Sequence, residues 1–210
     1  MQKVAFLDLD GTVTPDSTWF LLNTRLGITP EEDSALFERY LKSEVVSYEE
    51  WIAELVRLYR SRGSVTKEEL ETWVAGISLR DGAGEMVTSL REKGYTVVLL
   101  SGSVDLVVEA IAKRIGVDDW RALSRLVFSD NGTLTDIVSS GDESNAKSVV
   151  ARAYLSERGL AADDALAIGD GGNDIDLFKV VKGIALGRNE KLGAVAYQKV
   201  ESLSDIAALI

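Results

Sequence analysis

The sequence predicts an α/β protein, a doubly wound parallel sheet with helices on both faces and an all-helical unit inserted near its start. Three patterns carry that prediction. From residue 80 onward, stretches with helical spacing alternate with short runs rich in β-branched residues, the βαβ rhythm of a parallel sheet. The N-terminal run KVAFLDL adds one more strand to the same sheet. Between them, residues 14–79 hold helix-start signals and no convincing strand.

KVAFLDL, residues 3–9, reads as a buried strand that ends in acidic residues. In the inserted stretch, Thr29 with Glu32, Ser47 with Glu50 and Thr66 with Glu69 have the spacing of capping boxes, and Pro30 falls where a first helical residue needs no N–H. Trp19, Phe20, Phe37, Tyr40, Tyr48, Trp51, Tyr59 and Trp73 all lie there. A small helical unit needs such rings for its own core, so most are expected to be packing and a few to face a pocket. GAGEMVTSLREKG (82–94) reads as a helix with a glycine stop and YTVVLL (95–100) as a buried strand. VDLVVEAIAKRIG is a second helix of this series, and RLVFSD and TLTDIVSS flank Asn131-Gly132 as a hairpin with a type I′ turn. SNAKSVVARAYLSERG is a third helix, and ALAIG (165–169) and GIALG (183–187) are two more strands. No internal repeat, low-complexity run or proline-rich linker interrupts the pattern.

A length of 210 residues suits one good-sized core, or a core plus a smaller inserted unit. The excess of Asp and Glu leaves a formal charge of −11, which repels nucleic acid and anionic membrane, so neither is an expected partner. MQKVAFLDLD turns acidic too soon for a signal peptide, and no apolar run approaches the ~20 residues of a membrane span, so a cytoplasmic location is expected. The chain has no Cys and no His. That removes disulfides, thiolate chemistry, Ser-His-Asp triads and most zinc sites, leaving carboxylates, hydroxyls, Lys, Arg and a hard metal ion to do any chemistry.

In open α/β sheets ligands bind beyond the carboxyl ends of the strands. The first strand is followed by Asp8, Asp10, Gly11 and Thr12, YTVVLL by Ser101, Gly102 and Ser103, and ALAIG by Asp170, Gly171, Gly172, Asn173 and Asp174. Lys147 opens the helix before that last strand. Buried carboxylates at the end of a central strand cost several kcal/mol unless a metal, a nest of donors or a reaction compensates them.

DLDGT at 8–12, LLSGS at 99–103, Lys147 in NAKS and GDGGND at 169–174 together resemble the haloacid dehalogenase superfamily of aspartyl-phosphate hydrolases, within it the phosphoserine phosphatase-like branch. Any one of these pieces alone reads as an ordinary turn, cap or surface lysine; their joint order carries the resemblance. It implies a Rossmann-like core over residues 1–13 and 80–210 and a helical cap over 14–79, the cap moving as a lid on hinges at Thr14-Pro15 and Leu79-Arg80. It further implies Asp8 as nucleophile and Asp10 as the acid, then base, of a two-step phosphoryl transfer. Mg²⁺ would be held by Asp8, Asp170 and the backbone carbonyl of Asp10, with Asn173 and Asp174 orienting that shell. Lys147, Thr12, Ser101 and the Gly102 N–H would hold the phosphate.

The implied activity is Mg²⁺-dependent hydrolysis of a small phosphomonoester. Dehalogenases of the superfamily lack the second carboxylate, so Asp10 argues against that chemistry. Phosphoserine phosphatase proper, a phosphotransferase or mutase, and a phosphate- or Mg²⁺-binding module without turnover are the alternatives. Phosphoserine-specific relatives carry a cap Glu soon after the first motif, and an Arg, for the amino acid's charges. The corresponding stretch here is TPDSTWF, with Asp16 and Ser17 and no Glu, and Arg57, Arg60 and Arg62 are the nearby cations.

Overall fold

A computed structural model of the protein describes residues 2–41, 47–117, 119–141 and 143–209. Strand β1 (Lys3–Leu7) lies in a sheet with β2 (Tyr95–Val104), β3 (Asp119–Phe128), β4 (Leu134–Ser139), β5 (Ala165–Gly169), β6 (Lys182–Leu186) and β7 (Gln198–Val200). Their spatial order is β4-β3-β2-β1-β5-β6-β7, with β4 the one antiparallel member. Strand β1 pairs with β2 at Val4↔Thr96 and with β5 at Val4↔Ala165. Because the chain reaches β2 on one side of β1 and β5 on the other, the loops at their carboxyl ends diverge and leave a crevice at the end of β1.

Period-two alternation places each strand's side chains in two cores. Val4, Phe6, Val98, Leu100, Ala165 and Ala167 face one, and Ala5, Leu7, Val97, Leu99, Leu166 and Ile168 the other. Helices α5 (Ala83–Glu92) and α6 (Asp105–Ile115) cover the second face, and α7 (Glu143–Arg158) and α8 (Ile175–Phe178) the first. The short α9 (Glu190–Val195), β7 and α10 (Leu203–Leu209) complete the chain and carry no separate signal in the sequence.

The described part of residues 14–79 holds four helices, α1 (Thr18–Arg25), α2 (Pro30–Leu41), α3 (Tyr48–Arg62) and α4 (Lys67–Val74). The boxes at Thr29/Glu32 and Thr66/Glu69 are reciprocal: Thr29 N–H donates to Glu32 at 2.9 Å and Thr66 N–H to Glu69 at 2.7 Å, while each threonine hydroxyl accepts the glutamate's own N–H. Ser47 accepts the Glu50 N–H at 3.2 Å. Helix α1 escapes the capping-box pattern because its cap, Ser17, has Phe20 and not an acid three residues on. The segment does not keep a core to itself. Trp19, Leu55, Leu70 and Val74 belong to the same contiguous buried cluster as Leu7, Val97 and Val108. Its ends are joined where Arg80 N–H donates to the Val13 carbonyl at 2.7 Å.

The hairpin differs from the sequence reading. Strand β3 starts at Asp119, pairs in parallel with β2 through its first half and only then turns antiparallel against β4. The turn is not type I′: Gly132 N–H donates to Ser129 O, Ser129 N–H to Thr133 O, and Gly132 sits at φ +80°, a three-residue loop with a glycine bulge. That loop docks on the helical segment. Thr66 faces Thr133 in an isolated antiparallel bridge, with Lys67 N–H to Gly132 O and Leu134 N–H to Val65 O both at 2.9 Å. Among the described residues no helix is long and apolar enough to cross a membrane.

Candidate active site

The carboxyl end of β1 carries Asp8, whose N–H is spent on Ile168 O of β5, so its side chain stands where the three central strands end. The next residues wind tightly: Thr12, Val13 and Thr14 all donate their N–H groups to the Leu9 carbonyl. Gly11 makes this turn at φ +78°, and any Cβ there would collide with the Asp170 carboxylate. Gly169 serves the neighbouring acid in the same way, since a Cβ at 169 would meet Asp174. Two glycines thus let two carboxylates approach the backbone.

Asp8 is 3% exposed, and Lys147 and Asp174 are wholly buried. Lys147 Nζ donates to Asp8 Oδ1 at 2.6 Å and to Asp174 Oδ1 at 2.7 Å. Carboxylate oxygens of Asp8, Asp170 and Asp174 come within 4.8 Å of one another, and Asp8 Oδ2 is buried with no hydrogen-bond partner. Burial, reinforced by the Asp174 charge, pushes the Asp8 carboxyl well above its ordinary range despite the opposing lysine. Burial and Asp174 raise Asp170 as well, against the Thr12 hydrogen bond and the charges of Lys147 and Arg80. Burial alone would lower the Lys147 ammonium, but Asp174 and Asp8 outweigh it and hold the proton on.

Asp10 lies in the same loop with its side chain turned elsewhere: Oδ1 accepts the Thr18 N–H, the first of α1, at 2.9 Å. The Thr18 hydroxyl meets Ser103 Oγ at 2.6 Å. Ser103, which could have capped the following helix, therefore ties α1 to the end of β2, and α6 has no side-chain cap. Ser101 and Gly102 are buried in β2 itself, which extends past the expected end at residue 100, and Ser101 Oγ accepts the Ser103 N–H at 3.0 Å. Thr12, expected on phosphate, gives its hydroxyl to Asp170 Oδ1 at 3.2 Å, and its N–H is already used. Asp174 accepts the Gly171 N–H at 3.2 Å and completes the grip on Lys147.

Asn173 and Gly172 face a cavity of about 550 Å³ beside Asp10. Trp19, Phe20, Phe37, Tyr40, Tyr48 and Trp51 line it, so most of the segment's rings face the cavity, where packing had been the main expectation. Several do both, since Trp19, Tyr48 and Trp51 are also core residues. Tyr59 is buried elsewhere and donates to Asn23. Arg80 was not anticipated. It donates to the Gly11 carbonyl at 2.6 Å, a contact that depends on the segment returning to the core and leaves no local mark in the sequence.

A family model for haloacid dehalogenase-like hydrolases matches residues 5–179. A phosphoserine phosphatase of Halobacterium salinarum is 32% identical over 198 residues, 94% of this chain and 90% of the relative. One from Methanocaldococcus jannaschii is 26% identical over 178 residues, 85% of this chain and 82% of that one. A solved structure described as a phospho-aspartyl intermediate analogue of phosphoserine phosphatase superposes with a TM-score of 0.81 at 27% identity, covering 100% of this chain and 99% of the other. With that match running from β1 through the acidic loop after β5, the chain belongs to the haloacid dehalogenase-like hydrolase family.

Proposed function

We propose that the protein is a Mg²⁺-dependent phosphatase that hydrolyses a small phosphomonoester through a phosphorylated Asp8. The observation that carries this reading is the buried Asp8 carboxylate, gripped on one oxygen by Lys147 and left without a partner on the other, two residues before Asp10, which lines the aromatic cavity. The relatives named above are phosphoserine phosphatases, which supports phosphomonoester hydrolysis as the reaction.

An all-oxygen donor set with an orphaned buried oxygen suits a hard divalent ion, and Asp8, Asp170 and the Asp10 carbonyl would hold Mg²⁺. When bound, Mg²⁺ supplies positive charge against the repulsion between carboxylate and phosphate. In the first step an Asp8 oxygen forms a bond to phosphorus as the ester P–O bond breaks, and Asp10 gives its proton to the departing alcohol oxygen. In the second, the Asp10 carboxylate takes a proton from water, whose oxygen attacks phosphorus; the Asp8–phosphorus bond breaks and inorganic phosphate leaves. Lys147 holds Asp8 in place and offers positive charge to the transferring group, while Asp174 keeps that ammonium charged and aimed. Thr18 steers the Asp10 carboxylate from the helical segment, which in this reading is the cap that covers the site.

Acid-quenched mass measurement during turnover of a nitrophenyl phosphate tests the mechanism. Asp8→Asn should lose at least ~10³ in rate and carry no phosphate. Asp10→Asn keeps the nucleophile, phosphorylates with a leaving group that departs as an anion, and should accumulate a phosphoprotein. Equal loss in both variants with no trapped phosphate would remove Asp10 from proton transfer.

A further inference from the structure

The cavity beside Asp10 is where the alcohol part of the substrate must sit, because Asp10 has to reach the leaving oxygen. Its wall is aromatic. Trp19 and Trp51 meet edge to face at 5.5 Å, Tyr48 and Trp51 lie 5.3 Å apart, and Tyr40 contacts both Tyr48 and Trp51 at about 6 Å. Phe37, tilted against Tyr40, remains 50% exposed at this cavity, the most exposed of the rings that line it.

The charges in the wall are as informative as the rings. Among the described residues no Lys or Arg lines the cavity, and its ionisable carboxylates are Asp10 and Asp33. The three arginines that the sequence offers as nearby cations are paired elsewhere: Arg57 pairs with Glu54, Arg62 with Glu32, and Arg60 donates to the Thr135 carbonyl at 2.5 Å. Arg60 and Arg62 line a separate cavity against β4. Among the described residues, a substrate carboxylate brought into this wall would be desolvated beside two acids with no counter-charge, which costs several kcal/mol. A serine-sized alcohol would also leave most of about 550 Å³ unfilled.

Trp19 and Trp51 add a positive sign. Both indole N–H groups are buried without an acceptor, so what Trp19 and Trp51 offer the cavity is apolar ring surface. Building on the phosphatase reading, we infer that the substrate is a phosphomonoester of a bulky apolar or aromatic alcohol that carries no carboxylate, and that phosphoserine is a poor substrate. The rings would stack on or surround the alcohol, and the phosphate would lie toward Asp8 and Lys147.

Three esters of primary alcohols separate the possibilities: 2-phenylethyl phosphate, O-phospho-L-serine and choline phosphate. Their kcat/KM values would be measured with Mg²⁺, and their affinities by calorimetry in the Asp8→Asn protein. Acetyl phosphate, whose leaving group is too small to use the cavity, reports on the chemistry alone. The phenylethyl ester should exceed phosphoserine at least ~10-fold in both measurements, an effect of the size that an apolar pocket confers. Phe37→Ala, a change at an exposed ring, should shrink that ratio several-fold. Phosphoserine equal or superior would overturn the inference, as would choline phosphate winning, which would make the rings a cage for a cation. If no ester and no acetyl phosphate turns over, the phosphatase reading fails, and the calorimetric ranking alone still decides what the cavity binds.

Discussion

Lys147 is the residue on which the site's electrostatics turns, because it is buried between two carboxylates that would otherwise face each other. Lys147→Met should destabilise the fold by about 3–5 kcal/mol, the usual consequence of stranding a buried charge by deleting its partner. Asp8→Asn should cost far less or be neutral, since it removes a charge that burial already disfavours and leaves the Lys147–Asp174 pair intact. Urea unfolding of the two variants in metal-free buffer checks the order, and a larger loss in Asp8→Asn would reverse the assignment. At this scale the sequence was readable where chemistry and strand ends coincide: Asp8, Asp10, Asp170 and Asp174 follow strand ends, and Lys147, which alone reads as a surface lysine, stands out only through the joint order of the four motifs. It was silent where a residue acts through a distant approach. Thr18 reaches Asp10 and Ser103 only after α1 has folded onto the core, and Arg80 reaches Gly11 only once the segment has closed.

Helix α4 shows what a single element contributes and how it answers to acid. Thr66 accepts the Glu69 N–H, and Glu69 accepts the Thr66 N–H, which lowers the Glu69 carboxyl below its ordinary value. A depressed acid stabilises the fold above its unfolded pKa and loses that contribution as pH falls through its folded value. Thr66→Ala should cost about 1 kcal/mol at neutral pH through the lost cap. The share of that loss due to the hydroxyl's own bond to the Glu69 carboxylate, 3.1 Å long, should fade on acidification below the ordinary carboxylate range, since the Thr66 N–H bond survives the substitution. Thermal unfolding of both proteins across that interval measures it; a gap that does not change with pH would assign the whole loss to the hydroxyl's bond from the Glu69 N–H and none to the Glu69 carboxylate. Because Thr66 also faces Thr133, this helix start is the joint between the helical segment and the β3–β4 turn. Capping residues made α2, α3 and α4 visible in the sequence. They did not reveal α1, whose Ser17 lacks an acid at the third position, nor the first half of β3, where WRALS has no β-branched residue to mark a strand that pairs with β2.

For the whole molecule, the mechanism proposed for Asp8 depends on a divalent cation, which the clustered carboxylates of Asp8, Asp170 and Asp174 could hold. EDTA should abolish turnover and Mg²⁺ should restore it, while Ca²⁺, larger and less strict in geometry, should support it poorly; full activity in metal-free buffer would remove the mechanism. The doubly wound order was legible as a class because β-branched runs alternate with helices, yet the shared core between sheet and helical segment was not, since side chains of α1, α3 and α4 join the sheet-face cluster through tertiary packing alone. The place of β1 at the middle of the sheet carries a consequence in time. Its two neighbours arrive late, β2 near residue 95 and β5 near residue 165, so a chain made at roughly 5–20 residues per second leaves KVAFL waiting on the order of ten to thirty seconds for its second partner. Throughout that wait β1, whose Val4 to Leu7 are all buried in the finished sheet, is open on at least one side. Ribosome-bound chains halted before β5 emerges should remain open to protease at β1, and chains halted after β6 has cleared the exit tunnel should be protected; early protection would mean that the helical segment shelters the strand until its partners come.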